Sequence, residues 1–203
     1  MFSDSVKSRE PLRKGTGDQL RRELVQATAD LLLSPRPVEA PSLRQIARRC
    51  GVAPSAVYMH FASQDELIAA VIAEQFDSLR ATLLAEIDVH RTPLEQISRI
   101  VRAYHRWAID HPGAYQLIFE RPDIAVPDDG AGPGTDLLDL LVAPLRILGA
   151  TAPAAARLSL LLWSVAHGIT SLRIHKTGAP WSQTADQDLD AAVDAIVQTL
   201  AQQ

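Results

Sequence analysis

The feature that most constrains this chain is the spacing of its apolar residues, which follows a helical period along nearly the whole sequence. No run of alternating apolar and polar residues is long enough to indicate a strand. Capping residues, prolines and glycines separate the periodic segments from one another. The sequence therefore predicts an all-α protein of about nine helices.

The start and stop signals give approximate bounds to these helices. Residues 1–17 are polar and basic, and we expect a flexible arm there. Ser42, Ser63 and Thr92 are good N-caps, and a mobile loop is expected at residues 121–134, which are rich in Pro, Gly and Asp. The predicted helices cover residues 18–33, 42–50, 54–60, 63–90, 92–110, a short stretch around 115–119, 135–148, 153–176 and 186–202.

Length and composition are those of an ordinary globular chain of one or two domains. The 203 residues are 47% apolar and 22% charged, and the one cysteine excludes an intramolecular disulfide. The N-terminus has no apolar signal-peptide core. The most apolar stretch, residues 158–172, lies between two arginines and is too short to span a membrane. We therefore expect a cytoplasmic protein.

Charge is distributed unevenly along the chain. The net charge is −4, yet residues 1–64 hold ten Lys and Arg against six Asp and Glu, and residues 65–203 hold ten against eighteen. A basic segment on an acidic body is typical of a protein with one end on nucleic-acid phosphates. Chance clustering of charged residues can give the same split, so charge alone does not show that the chain binds nucleic acid.

Residues 42–67 predict two short helices joined by a tight turn at Gly51. In this helix-turn-helix arrangement the second helix enters the major groove of DNA. Ala47 is small at the place where the two helices must cross closely. The residues expected to face the interior are Ile46, Ala47, Cys50, Val52, Val57 and Phe61.

This segment resembles the DNA-binding signature of the tetracycline-repressor (TetR) family. The resemblance lies in Ile46-Ala47, Gly51-Val52, Val57-Tyr58, His60-Phe61, Ser63 and Glu66-Leu67, and in their position after one N-terminal helix. It implies an N-terminal three-helix DNA-binding head over residues 18–64 and a helical ligand-binding and dimerisation domain over residues 65–203.

The resemblance also implies a DNA-contacting set of residues. Ser42, Tyr58 and His60 match positions that contact the DNA backbone, and Arg44 matches a base-reading position. The recognition-helix positions that face base edges are Pro54, Ser55, Ala56 and Met59. Because these four side chains offer few hydrogen bonds, we expect Arg44, Gln45 and DNA shape to supply much of the specificity.

Two positions depart from the family pattern. Ala53 stands where the family usually has a Ser or Thr that caps the recognition helix, a loss of about 1 kcal/mol of helix stability. Gln64 stands where the family often has a Lys on a DNA phosphate, and it keeps a donor but not the charge. A packing role for Tyr58 and Phe61 as core aromatics is the alternative to DNA contact, and we expect it to hold for Phe61.

The C-terminal part resembles a subgroup of the family with a Trp-His-Gly signature, here Trp163, His167 and Gly168. Family members pair through their last two helices, which implies a homodimer on a palindromic operator. Gly168 inside a helix costs about 1 kcal/mol relative to Ala, so we expect a close packing contact there. The apolar residues expected on these helices are Leu158, Leu161, Leu162, Val165, Ile169, Leu172, Leu189, Val193, Ile196 and Leu200.

Aromatic and histidine side chains of the body predict a pocket for a small, largely apolar effector. The candidate lining residues are Tyr104, Trp107, His111, Tyr115, Phe119, Trp163 and His167. Ordinary core packing is the alternative for any one of them. Histidine spacing indicates no metal site, and we expect no cofactor.

The sequence thus predicts a ligand-responsive transcriptional repressor that is not an enzyme. The alternative is a helical-bundle enzyme or small-molecule carrier with a purely structural head. Against that alternative, the chain has no nucleophile–base pairing, phosphate loop or cofactor fingerprint.

Overall fold

All regular structure in the described part of the chain is helical. The computed structural model describes residues 16–33, 40–120 and 134–202, and within these ranges it contains nine α-helices, two short 3-10 helices and no strand. The prediction of an all-α chain with about nine helices is confirmed. The α-helices are α1 (Thr16–Leu32), α2 (Leu43–Arg49), α3 (Pro54–Tyr58), α4 (Gln64–Leu84), α5 (Pro93–Asp110), α6 (Pro112–Phe119), α7 (Asp139–Ile147), α8 (Ala152–His175) and α9 (Ala185–Gln198).

The chain divides into two compact units, Met1–Val71 and Ile72–Gln203. The boundary falls inside α4, seven residues after the end of the head predicted at residue 64. The first unit contains α1, α2, α3 and the beginning of α4. The second contains the rest of α4 and all later helices.

The first unit buries one apolar face from each of its helices. Leu24 of α1, Ile46 of α2 and Val57 of α3 are all 0% exposed, and Phe61 is 1% exposed. Each such side chain contributes about 1.5–3 kcal/mol through its removal from water. The guanidinium of Arg21 lies 4.8 Å from the centre of the Phe61 ring and covers its outer face.

Helix α5 is central to the second unit because it packs against α7, α8 and α9. Its apolar residues recur at helical spacing, and Trp107 is 2% exposed. The indole Nε1 of Trp107 donates a hydrogen bond of 3.1 Å to the Ser78 hydroxyl of α4, so this buried polar atom is satisfied. The apolar stripe of α9 is buried in the same core, as shown by Leu189 and Val193, each 1% exposed.

Local capping signals predict helix starts well. Ser42, Thr92 and Thr184 each form a capping box with the Gln or Glu three residues later. Ser63 accepts a hydrogen bond of 3.1 Å from the Glu66 backbone N–H. One start was misjudged: α6 begins at Pro112, three residues before the predicted stretch around 115–119, because Pro fits the first turn of a helix.

Helix ends were predicted less well. The prediction that the fourth helix runs to about residue 90 is wrong, since α4 ends at Leu84. The carboxylate of Glu86 binds Arg99 at 2.9 Å and Arg106 at 2.7 Å. The backbone carbonyl of Asp88 accepts a hydrogen bond of 2.7 Å from the Gln96 side chain. These contacts with α5 turn the chain away from the axis of α4.

Smaller differences concern three predicted segments. The helix predicted at residues 135–148 is a 3-10 turn at Thr135–Leu137 followed by α7, and the last helix ends in a second 3-10 turn at Thr199–Gln202. Residues 16 and 17, predicted to belong to the arm, begin α1. The rest of the predicted arm and residues 121–133 of the predicted loop lie outside the described residues.

Acid is expected to destabilise the second unit through His105. This side chain is 8% exposed, and its Nδ1 lies 3.1 Å from the Thr170 hydroxyl. Burial lowers the pKa of His105 below its ordinary 6.5, an effect that Asp186 opposes and Arg173 and Arg106 reinforce. The unfolded chain therefore binds the proton more readily, so stability is full above about pH 6.5 and declines as the pH falls below it.

We expect the melting temperature to fall between about pH 7 and pH 5, and His105→Asn, which keeps a partner for Thr170, to reduce that fall. His90 is exposed, so His90→Asn serves as the control. Equal pH dependence of the His105→Asn and His90→Asn variants would show that His105 is not responsible.

Candidate nucleic-acid interface and ligand cavity

The segment that joins α2 and α3 is a tight turn. Gly51 has a φ of +67°, a conformation that glycine adopts without steric cost. The Val52 N–H donates to the Ala47 carbonyl at 2.9 Å and closes the turn. Ala47 is 1% exposed and Val57 is 0% exposed, so the two helices meet through small and β-branched side chains.

The two helices differ in how they begin. Ser42 caps α2, accepting a 3.3 Å hydrogen bond from the Gln45 N–H, while the Gln45 side chain accepts a 2.7 Å hydrogen bond from the Ser42 N–H. Ala53 precedes α3 with extended backbone angles and offers no side-chain cap, although Pro54 fits the first position. The uncapped start predicted for the second helix is present.

Tyr58 and Met59 project from the end of α3 into solvent. They are 60% and 77% exposed. Two neighbouring large side chains are therefore available at this end of α3 for contact with another molecule. Ser42, Arg44, Gln45, Pro54 and Ser55 are exposed as well, whereas Ala56, His60 and Gln64 are half-buried.

Two groups near this surface are engaged within the first unit. The Gln64 side-chain amide donates a hydrogen bond of 3.2 Å to the Ala40 carbonyl, which leaves one of its two N–H groups for another partner. Arg49 binds Asp30 at 3.1 Å. Hydrogen bonds from Gln26 and from Arg49 hold the pKa of Asp30 below its usual range.

The second unit contains a partly open cavity of about 360 Å³. This is at the small end of the range for small-molecule sites, about 300–1,000 Å³. Its walls are aliphatic and aromatic side chains from five helices and the turn before α7. The lining residues are Phe76, Leu79, Leu83, Ile100, Val101, Tyr104, Ile118, Phe119, Gly134, Leu137, Leu138, Leu141, Trp163 and Ala166.

Phe119 is the centre of an aromatic cluster beside this cavity. Its ring centroid lies 6.1 Å from Phe76, 6.0 Å from Tyr104 and 6.3 Å from Trp163. It also lies 5.2 Å from both Tyr115 and His167. Tilted and edge-to-face pairs at these distances are favourable aromatic geometries and hold this wall in place.

A hydrogen-bonded group of three polar side chains adjoins the cluster. The Nδ1 of His167 lies 2.8 Å from the Tyr104 hydroxyl and 3.1 Å from the Tyr115 hydroxyl. Burial lowers the pKa of His167, with Glu120 opposing. Burial raises the pKa of Tyr104, and it raises the pKa of Tyr115 to about 12. All three groups are therefore neutral near pH 7.

One face of α8 is exposed and apolar. Leu161 and Leu172 are 41% and 51% exposed, and Gly168 lies between them on the same stripe. The sequence predicts a close packing contact at Gly168, but an added Cβ there would meet no atom within 4 Å. The described chain itself supplies no such contact, and the prediction stays open for contact with a second copy.

Comparison with known proteins identifies the family. Residues 26–71 match the family described as "Bacterial regulatory proteins, tetR family", and residues 97–200 match "Tetracyclin repressor-like, C-terminal domain". The chain belongs to the TetR family. The family predicted from residues 42–67 is thus confirmed.

Relatives of this chain include TetR-like regulators and solved structures. The HTH-type transcriptional regulator Rv1816 of Mycobacterium tuberculosis is 30% identical over 128 residues, 61% of this chain and 54% of the relative. The match thus spans about half the length of that relative. A Rhodococcus sp. RHA1 protein of unknown function is 26% identical, with a TM-score of 0.72 over 95% of this chain and 100% of its own.

The fold has also been solved on DNA. Mycobacterium smegmatis BioQ is 20% identical, with a TM-score of 0.61 over 90% of this chain and 97% of its own. BioQ has also been solved with its double-stranded DNA operator, with the same identity and TM-score over 88% of this chain and 98% of its own. At this identity the likeness concerns the fold.

Three of the residues predicted for a TetR effector pocket line the cavity: Tyr104, Phe119 and Trp163. Tyr115 and His167 lie behind them in the aromatic cluster. Trp107 is buried against Ser78, and His111 is exposed and stacks on Trp107 at 5.3 Å. These four are not among the lining residues.

Sequence reasoning missed the aliphatic lining of this cavity. Leu79, Leu83, Leu137, Leu138 and Leu141 have the spacing of ordinary core residues. No signal in a single sequence separates a leucine that faces a cavity from one that faces another side chain.

Membrane-spanning helices and metal-binding clusters are both absent from the described parts of this TetR chain. No helix there is both long and apolar enough to cross a membrane. Among the same residues, no three or more His, Cys, Asp or Glu side chains group in a way that would hold a metal ion.

Gly134 is expected to tolerate no side chain. It has a φ of +100°, and an added Cβ would lie 2.5 Å from the Phe76 ring. Gly134→Ala should therefore strain the backbone and displace Phe76 into the cavity, which lowers the free energy of unfolding by about 1–3 kcal/mol. Denaturant unfolding measures this, with Gly178→Ala as control because a Cβ there meets nothing within 4 Å. Equal stability of the two variants would contradict the prediction.

Proposed function

We propose that this chain is a sequence-specific DNA-binding regulator of transcription, acting as a repressor that a small, largely apolar molecule releases from DNA. The observation that carries the proposal is the exposed helix-turn-helix surface with Tyr58 and Met59 at its end. Family membership supports it. The same arrangement gives no support to a catalytic role for the chain.

Recognition is proposed to use both helices of the motif. Arg44 reaches base edges from α2, and Tyr58 donates a hydrogen bond from its hydroxyl to the DNA backbone. Ala56 and Met59 offer apolar contacts to thymine methyl groups. Ser42, Gln45, Pro54, Ser55, His60 and Gln64 complete the proposed interface.

The functional form is proposed to be a homodimer paired through α8 and α9. The exposed apolar stripe of α8 at Leu161 and Leu172 supports this. Gly168, which has open space around it, allows a second copy to approach the backbone closely. Two heads related by twofold symmetry would read a palindromic operator whose half-sites lie about one DNA turn apart or slightly more, roughly 34 Å or above.

Effector control is proposed to act through α4. Phe76, Leu79 and Leu83 of this helix line the cavity, and Leu67 and Val71 of the same helix belong to the core of the first unit. A ligand that shifts the helix changes the spacing of the two heads. A coupling free energy of about 1–3 kcal/mol suffices for a useful switch.

The test is selection of bound DNA from a random duplex pool by the purified protein at about 150 mM salt, because phosphate contacts make affinity steeply salt-dependent. We expect an enriched palindrome. Failure to enrich any sequence, with or without a small apolar additive, would overturn the proposal.

A further inference from the structure

Hydrogen-bonding groups are scarce in the wall of the cavity. Among the described lining residues, Tyr104 carries the only hydroxyl and Trp163 the only side-chain N–H, and none is charged. A charged ligand group would lose its hydration there without gaining a counter-ion, whereas a hydrocarbon loses nothing. The lining favours an uncharged molecule that is mostly hydrocarbon.

Tyr104 is held in place and keeps hydrogen-bonding capacity. Its hydroxyl lies 2.8 Å from the Nδ1 of His167. A phenol hydroxyl has one donor and two acceptor sites, and a neutral imidazole nitrogen either donates or accepts one bond. When the Nδ1 of His167 carries the proton and donates to Tyr104, the Tyr104 O–H remains a donor for a ligand oxygen, while the Tyr115 and Trp163 side chains are close enough to share the acceptor sites of this hydroxyl.

His167 is itself held by several groups. Tyr115 contacts its Nδ1 at 3.1 Å and stacks on its ring with centroids 5.4 Å apart. Trp163 lies 5.4 Å from the same ring. The imidazole is thus fixed from two sides, and burial lowers its pKa and keeps it neutral. It can position Tyr104 without placing a charge next to the cavity.

We propose that the cavity binds an uncharged, mainly hydrocarbon molecule that carries one hydroxyl or carbonyl group, and that this group hydrogen-bonds to the Tyr104 hydroxyl. Tyr104 is then the residue that determines polar specificity, and His167 is its positioning residue. The inference rests on the ligand-responsive role proposed above and adds the chemical class of the ligand.

The first experiment compares four probes of matched size on the full chain by calorimetry: octane, octanol, methyl hexyl ketone and octanoate. At about pH 8 octanoate is ionised, since carboxyl groups titrate near pH 4. We expect octanol and the ketone to bind at least about tenfold more tightly than octanoate. Binding of octanoate as tight as that of octanol, or binding of none of the four probes, would overturn the proposal.

The second experiment uses Tyr104→Phe, which removes the hydroxyl and keeps the ring. We expect affinity for octanol and for the ketone to fall about fivefold to tenfold, the loss of one neutral hydrogen bond, with octane unaffected. Leu141→Met is the matched control, a lining change without a polar group. Equal losses for octane and octanol in Tyr104→Phe would show that Tyr104 serves packing only, and would refute its assignment.

The positioning role has its own readout. His167→Leu should weaken octanol binding but not octane binding, and His167→Gln, which can still hydrogen-bond to Tyr104, should recover most of the loss. If His167→Leu and His167→Gln each weaken octane binding as much as octanol binding, His167 is structural and the positioning role is refuted.

DNA binding separates this inference from the proposed function. A protein that enriches an operator but binds none of the probes refutes the ligand class and leaves the regulator in place. A protein that shows the expected probe selectivity but enriches no DNA supports the cavity chemistry and refutes the regulator.

Discussion

The double substitution Leu161→Asp with Leu172→Asp is expected to abolish dimerisation and lower operator affinity by a factor of about one hundred or more. Both leucines are exposed on one stripe of α8, so the folded chain loses little when they change. In the proposed dimer, each carboxylate would be taken from water into an apolar interface without a partner. A single head then binds one half-site without the effective concentration that a tethered second head provides.

Sedimentation equilibrium measures pairing, and fluorescence anisotropy with the selected operator measures affinity. The matched control is Ile109→Asp, an apolar residue on α5 that is 46% exposed. We expect this control to remain dimeric. If the double variant still pairs as tightly as the parent chain, the α8 face is not the interface.

Tyr58→Ala is expected to weaken operator binding by about tenfold or more while the melting temperature stays unchanged. The side chain is 60% exposed, so its removal leaves the core of the first unit intact. In the proposed complex the Tyr58 hydroxyl donates to a phosphate, and a charge-assisted hydrogen bond of this kind contributes about 1.5–3 kcal/mol. The alanine variant also lacks the ring that excludes water from the surrounding interface.

Tyr58→Phe separates these two contributions. If the hydroxyl binds a phosphate, the Phe variant should show most of the loss of the Ala variant. Gln26→Ala, another exposed change in the first unit, should bind like the parent chain. Unaltered affinity in Tyr58→Ala would mean that the exposed tyrosine serves another purpose, and would leave the alternative of a non-DNA-binding head.

The features that a single sequence predicts are those set by near neighbours in the chain. Ser42 and Thr92 mark their helices because each capping box is completed three residues later. The turn at Gly51 and the uncapped start at Ala53 follow from the same local rules. The family signature of residues 42–67 is also local. For this reason both the fold and the family could be predicted from the sequence.

Features set by distant residues were not predictable in this way. The end of α4 depends on Glu86 meeting Arg99 and Arg106 of the next helix. The cavity wall combines aliphatic residues from α4 with aliphatic residues in and before α7. The spacing of these residues along the sequence is the same as that of residues packed in a core, so it does not reveal the cavity. Trp107 and Tyr104 lie on one face of α5, yet only packing from other helices decides that one meets Ser78 and the other meets the cavity.

The missing side-chain cap at the start of α3 affects the protein when it is free of DNA. The proposed recognition helix is five residues long and has no side-chain cap, whereas α2 beside it has a capping box. Short helices without caps open often, so amide protons of α3 should exchange with solvent sooner than those of α1. Ordering this helix would then offset part of the free energy of operator binding, which lowers the affinity for every DNA sequence that the ordered helix binds by the same factor.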